Sequence, residues 1–237
     1  MKRMCKYFIS IFFFFLFVDG YSQEQKKEIE ETEKDSIVYK SPYGIRVGMD
    51  ISKPILASFN SNYTGFEIVG DYRISKKFYF AAELGHEENI SKEDYTNSSS
   101  KGNYVRLGFN YNVYENWLDM NNEIFLGYRY GFGLFDQTLN SFTPNVNTTY
   151  FPANEISATI TASNLNANWS EFMFGIKVET FKNLFVSTHI SYKVLMSAKE
   201  PENFKTLFSP GFNRIFESRT GFGFNYTISY LIPFKKK

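Results

Sequence analysis

The sequence predicts an all-β protein, an eight-stranded closed antiparallel transmembrane β-barrel in up-and-down order. Three observations carry this expectation. First, from Gly221 to Phe234 every even position is bulky and apolar or aromatic: Phe222, Phe224, Tyr226, Ile228, Tyr230, Ile232 and Phe234. The odd positions stay small or polar through Ser229, and Leu231 and Pro233 depart near the end. A strict period of two is a β-strand with one apolar face and one wet face. Second, the pattern recurs in segments back to Tyr43, joined by connections that alternate between short and long. Third, the chain opens with an export signal.

The leader is read over residues 1–22. Lys2, Arg3 and Lys6 make its basic start and Tyr7 to Val18 its apolar run. That run is shorter than the roughly 20 residues a spanning helix needs, and Gly20 and Ser22 suit cleavage before Gln23. Cys5 lies ahead of the apolar run, so the mature chain is expected to hold no cysteine, disulfide or thiolate site. Residues 23–42, rich in Glu, Lys and Gln, read as a disordered periplasmic tail, and residues 43–234 as the barrel.

Eight strands follow in order. The first, about Tyr43 to Leu56, sets Ile45, Val47, Met49 and Ile51 against Gly44, Arg46, Gly48 and Asp50. The second, about Tyr63 to Ile74, sets Phe66, Ile68 and Tyr72 against Glu67, Asp71 and Arg73. The third, Lys77 to Glu87, has Phe78, Phe80 and Leu84 opposite Ala81, Glu83 and Gly85. The fourth, Asn103 to Tyr114, has Val105, Leu107, Phe109 and Tyr111 opposite Arg106, Gly108 and Asn110. The fifth, Leu118 to Phe135, has Leu126, Tyr128, Tyr130 and Leu134 opposite Glu123, Gly127, Arg129, Gly131 and Gly133. The sixth, Trp169 to Thr180, and the seventh, Leu184 to Leu195, place Glu171, Gly175, Lys177, Glu179, Ser187, His189, Ser191 and Lys193 on the wet face. The eighth is the terminal strand.

Tight turns fall at Ile74 to Lys77, Tyr114 to Trp117 and Phe181 to Asn183. Between them lie longer loops: Ala57 to Asn62, Glu88 to Gly102, residues 136–168 and residues 197–218. Short turns on one side and long loops on the other are the habit of outer-membrane barrels, with the loops facing outward. The third loop contains an alternating stretch, Glu155 to Ser163, so a hairpin or longer strands should project there. In the fourth, Pro201 to Phe208 suggests a short helix.

Alternation alone does not say which face is inside. A soluble lipocalin-like ligand carrier would be greasy within, and a membrane barrel greasy without. Aromatics make up 19% of the chain, with 27 Phe and 17 Tyr, yet mean hydropathy is −0.32. Only alternate residues of a barrel touch lipid, so both facts suit one. The wet face mixes glycines with charges of both signs, as a narrow lumen needs, since glycine makes room and buried charge must be paired. Turned toward lipid, one Arg or Lys at midplane would cost about 2–4 kcal/mol.

The end of the chain resembles the closing strand of the small OmpA/OmpX-type outer-membrane β-barrel family. That family's assembly machinery reads a polar residue, a glycine, an apolar residue and a final aromatic, matched here by Thr227, Ser229, Ile232 and Phe234. Ser229 stands where glycine is usual, and Lys235 to Lys237 follow the aromatic. The resemblance implies insertion in the outer membrane of a gram-negative cell and no particular activity.

Candidate chemistry is sparse. His189 and Ser191 share a face with Glu179 on the neighbouring strand, a spacing similar to the His-x-Ser of lipid A deacylases, so an outer-membrane lipid hydrolase is an alternative. Tyr192, Lys193 and Val194 replace that family's Asn-Ala-Gly, and the residues point into the lumen, away from lipid. His86, Glu87 and Glu88 sit at a rim where a cation could touch them, against the simpler reading of a solvated loop end. A net charge of +1 gives no case for nucleic acid. The expectation is therefore a non-enzymatic barrel without cofactor, metal or catalytic residues. Its polar lumen is plugged and its role structural or surface-recognising. Its partners are outer-membrane lipid, the assembly machinery and an extracellular ligand at loops 136–168 and 197–218.

Overall fold

The structure, a computed structural model, describes residues 42–115, 121–144 and 154–236. The expected leader and nearly all of the expected tail lie outside these residues. The described elements are β1 (Pro42–Asp50), α1 (Ser52–Phe59), β2 (Tyr63–Arg73), β3 (Phe78–Lys92), β4 (Thr96–Asn112) and β5 (Glu123–Phe142). They continue with β6 (Ile156–Phe181), β7 (Leu184–Ala198), β8 (Phe208–Ser209), β9 (Asn213–Arg214) and β10 (Thr220–Lys236). Hydrogen-bonded neighbours run β1-β10-β7-β6-β5-β4-β3-β2 and close on β1, every pair antiparallel. This is an eight-stranded closed meander, with β8 and β9 forming a separate two-stranded ladder in the last loop.

Sidedness follows the alternation. On β1, Ile45, Val47 and Met49 are exposed and Arg46 and Asp50 buried. On β10, Phe222, Phe224, Tyr226, Ile228, Tyr230, Ile232 and Phe234 are exposed while Asn225, Thr227 and Ser229 are buried. On β2 to β7 the outward face is likewise greasy and every strongly buried charge faces inward, beside aromatic side chains such as Phe125, Trp169 and Phe185, so the barrel has the opposite sense to a lipocalin. A one-residue slip of any strand would carry its apolar set inside and its charges out, which fixes the register. Close approach between strands needs glycine at Gly48, where a Cβ would lie 2.1 Å from the carbonyl oxygen of Ile228.

The expected first strand is too long. It stops at Asp50, whose carboxylate accepts the Ser52 N–H (2.8 Å) and hydroxyl (2.6 Å) and turns the chain into α1. Pro54 sits in the first turn of α1, where its missing N–H is harmless. Nor does Pro201 to Phe208 form a helix. Its backbone is satisfied by the wall instead: the Gln137 amide donates to the Lys205 carbonyl (3.2 Å) and accepts from the Leu207 N–H (3.2 Å). β3 and β4 continue through most of the second loop as a long hairpin, and in the third β5 reaches Phe142 and β6 starts at Ile156. As expected for the third loop, β5 and β6 are the longest strands of the wall, and residues 145–153 are not among those described. The Ser- and Asn-rich tip of the β3–β4 hairpin is polar on both faces, so period two showed no contrast there.

Candidate functional site

The barrel interior concentrates the unusual chemistry, in two ion clusters stacked along its axis. In the lower one, Arg46 of β1 reaches inward between Asp71 of β2 (2.5 Å) and Glu123 of β5, and Lys177 of β6 takes the other oxygen of Asp71. The Arg46 guanidinium also lies 4.6 Å from the ring of Tyr79 and 5.1 Å from that of Phe185. In the upper cluster Arg106 of β4 serves three carboxylates: Glu67 at 2.6 Å, Glu83 at 2.7 Å and Glu171 at 3.2 Å. Arg129 shares Glu83 at 3.1 Å. The hydroxyl of Tyr104 donates to Glu67, and the indole N–H of Trp169 to Glu171 at 2.6 Å. Removal from water costs each ion several kcal/mol, offset only by such mutual pairing. A guanidinium's forked donors suit it to several acceptors where an ammonium would not.

Register explains the placement, since Glu83 and Arg106 are direct cross-strand partners. Glycines make room as expected, but for aromatic rings. A Cβ on Gly85 would lie 2.2 Å from the Tyr104 ring, and one on Gly131 would lie 2.2 Å from Trp169. Two cavities between these side chains are small, about 30 Å³ and about 20 Å³.

Above the upper cluster the last loop folds into the mouth. Gly211 donates its N–H to Glu87 at 2.7 Å, and its carbonyl accepts from Lys193 at 2.5 Å. Its φ of +80° favours glycine, and a Cβ there would meet the Tyr104 ring at 2.6 Å. Phe212, fully buried beside it, packs edge-on against Trp169 with ring centroids 6.1 Å apart. With Tyr104, Phe135, Leu165, Ala167 and Leu195 they form an apolar cluster inside the mouth. The inward face is thus less uniformly wet than the sequence implied. From α1, Lys53 enters the mouth to pair with Glu87 and, at 3.7 Å, with Glu67. Burial works against the charge of Lys53, but Glu87 foremost outweighs it and holds its pKa well above the ordinary lysine value.

The structure separates the residues considered for catalysis. His189 and Ser191 both face the lumen and are buried, but the Ser191 hydroxyl and His189 Nε2 have no hydrogen-bond partner, so they are not bonded to one another. His189 lies opposite Gly175 and Glu179 opposite Phe185. Four residues of strand, roughly 13 Å, part the acid from the imidazole. Glu179 instead accepts from Asn121 and from the Asn183 N–H, at 2.8 Å each. The rim trio splits the same way. His86 bonds Asn103 (2.8 Å) on the outer side, Glu88 pairs with Lys101 (3.0 Å), and Glu87 points inward. Among the described residues no three His, Cys, Asp or Glu side chains converge as metal ligands would. Sequence reasoning missed Glu87 as the anchor of the last loop, although the odd-numbered inward parity of the third strand already pointed it inside.

Fold and interior together define a closed β-barrel with an apolar exterior and an ion-paired interior. The chain belongs to the family described as Domain of unknown function (DUF6048), whose model matches residues 4–237. A search of curated proteins finds no match. Among solved structures the chain is similar to Ail, the attachment invasion locus protein of Yersinia pestis. The identity is 10%, the TM-score 0.41, and the alignment covers 81% of this chain and 99% of that one.

Proposed function

We propose that this chain is an integral outer-membrane β-barrel of a gram-negative cell, with a plugged polar lumen and a structural or surface-recognition role exercised through its outward loops. The sidedness of the wall carries the reading. Phe172, Phe174, Ile190, Phe222 and Phe224 stand outside while Arg106, Glu67 and Glu171 are buried within. In water that exterior would be a very large exposed apolar surface, and in a bilayer it is the required one. Residues 1–22 serve as the leader and 23–42 as a periplasmic tail, the assembly machinery reads Thr227 to Phe234, and no nucleic acid is involved. The lumen conducts little, because its charges bond to one another and Gly211 and Phe212 stop the mouth. The hairpins and the folded last loop, residues 136–168 and 197–218, are the parts presented for recognition.

Detergent-refolded chain should migrate faster unboiled than boiled on a gel, as closed barrels do. In cells it should sediment with envelope and need detergent for release. Release by salt alone would sink the reading. Protease added to intact cells should cut within residues 136–168.

A further inference from the structure

The barrel rim carries a notch that the wall itself creates. Pairing of β1 with β10 ends at Asp50 opposite Thr227, and with β2 at Met49 opposite Ile68. Yet β10 continues to Thr220 against β7, and β2 to Tyr63 against β3. Over this height the two strands flanking β1 have a strand partner on one side only. β1 no longer runs between them at this height, where its chain has left the sheet. The chain of β1 has turned away into α1, which packs beside β2 and β10 instead of filling the row.

A cavity of about 530 Å³ opens at this notch, bounded by α1, the tips of β2 and β3, the β8–β9 hairpin and Phe224 of β10. Such a volume is in the range of small-molecule sites. Its lining is graded. Phe224 belongs to the outward apolar face and is 62% exposed, and Leu56 of α1 is 49% exposed. Asn60, Asn89 and Asn213 offer amides to the same cavity. The two cations in the lining already have carboxylate partners, Lys53 with Glu87 and Arg214 with Glu93 at 2.8 Å. An anionic head would compete with those carboxylates, whereas hydroxyls can bond to amides without displacing any ion pair.

We propose that the notch is a lateral binding cleft for an amphipathic lipid with a neutral, hydroxyl-rich head group. The lipid comes from the outer leaflet, its head among the asparagines and its chain along Phe224 and Leu56. The proposal rests on the membrane reading above, since Phe224 meets an acyl chain only in a bilayer.

The test uses the full chain in phosphatidylcholine nanodiscs, titrated with monoglucosyl diacylglycerol while the side-chain amide signals of Asn60, Asn89 and Asn213 are followed by NMR. These signals should shift saturably with the glycolipid and stay in place with free glucose, which separates a membrane-borne ligand from a soluble sugar. Phe224→Ala and Leu56→Arg should each weaken binding about tenfold, given the apolar contact each removes or blocks. Phe234→Ala, at the far end of the same face, should not. Equal binding of phosphatidylglycerol overturns the neutral head. Unchanged binding by Phe224→Ala and Leu56→Arg, both still showing the unboiled mobility shift, overturns the cleft and leaves the membrane reading standing. Absence of that shift in the unaltered chain would instead remove the membrane reading.

Discussion

Across the wall, Ile45, Val47 and Met49 alternate with Gly44, Arg46 and Gly48, and each inward group meets its partner because register delivers it. At the mouth, Lys53, Glu87 and Gly211 come from a helix, a strand and a loop, and meet because α1 and the last loop both fold towards Glu87. The wall is a repeating pattern that tolerates no slip. The mouth is a single arrangement held by a few hydrogen bonds and the packing of Phe212 on Trp169. Ion pairs in the wall are therefore conditions of folding, and those at the mouth are fastenings that can loosen while the barrel stands.

The comparison breaks most visibly at Arg106. Arg106→Ala leaves Glu67, Glu83 and Glu171 facing one another in the lumen without their common partner. A loss of about 3–5 kcal/mol is expected, read as a lower urea midpoint for loss of the unboiled gel shift. Arg106→Lys should recover part of it, because one ammonium cannot reach all three acids.

Gly211→Ala comes next. Its positive φ and the Tyr104 ring both oppose a Cβ. The expected cost is about 1–3 kcal/mol, confined to the mouth. Emission from Trp169 should shift to the red and loop 197–218 should be cut faster by protease, while the gel shift persists. If the gel shift were lost instead, wall and mouth would be one cooperative unit.

Glu87→Gln is milder, because the amide oxygen can still accept from Gly211 and the NH2 can donate to the Tyr63 hydroxyl, while the charge that holds Lys53 is lost. About 1–2 kcal/mol of local stability should go, again seen as faster cleavage of the last loop. The same fastening is pH-dependent. The pKa of Lys53 is raised on folding, so its contribution is complete below the unfolded lysine value of about 10.4 and fades as pH climbs through the folded value. Proteolysis of the loop should therefore accelerate as pH rises into strong alkali.

The smallest effect belongs to the rim. Lys101 and Glu88 pair at 3.0 Å but are 63% and 44% exposed, so Lys101→Ala should cost less than about 1 kcal/mol and move no urea midpoint appreciably.

The sequence by itself determined the strand series, the closure of eight strands and the face on which each wall residue lies. A period of two is a local property that any residue and its next-but-one neighbour reveal. It foresaw that charges of both signs would be enclosed, and that longer strands or a hairpin would occupy the third loop. Tertiary structure alone decided which acid meets which base. Arg106 reaches Glu67 and Glu171 across the lumen from strands far away in sequence, a distance no alternation encodes. It also decided that β1 ends at Asp50, because Asn225, distant along the chain, donates to the Asp50 carboxylate that turns the chain. And it decided that Pro201 to Phe208 is not helical. Local propensity favoured a turn of helix, but Gln137 offered that segment hydrogen bonds and the wall buried its Thr206 and Phe208, gains that an exposed helix would lack.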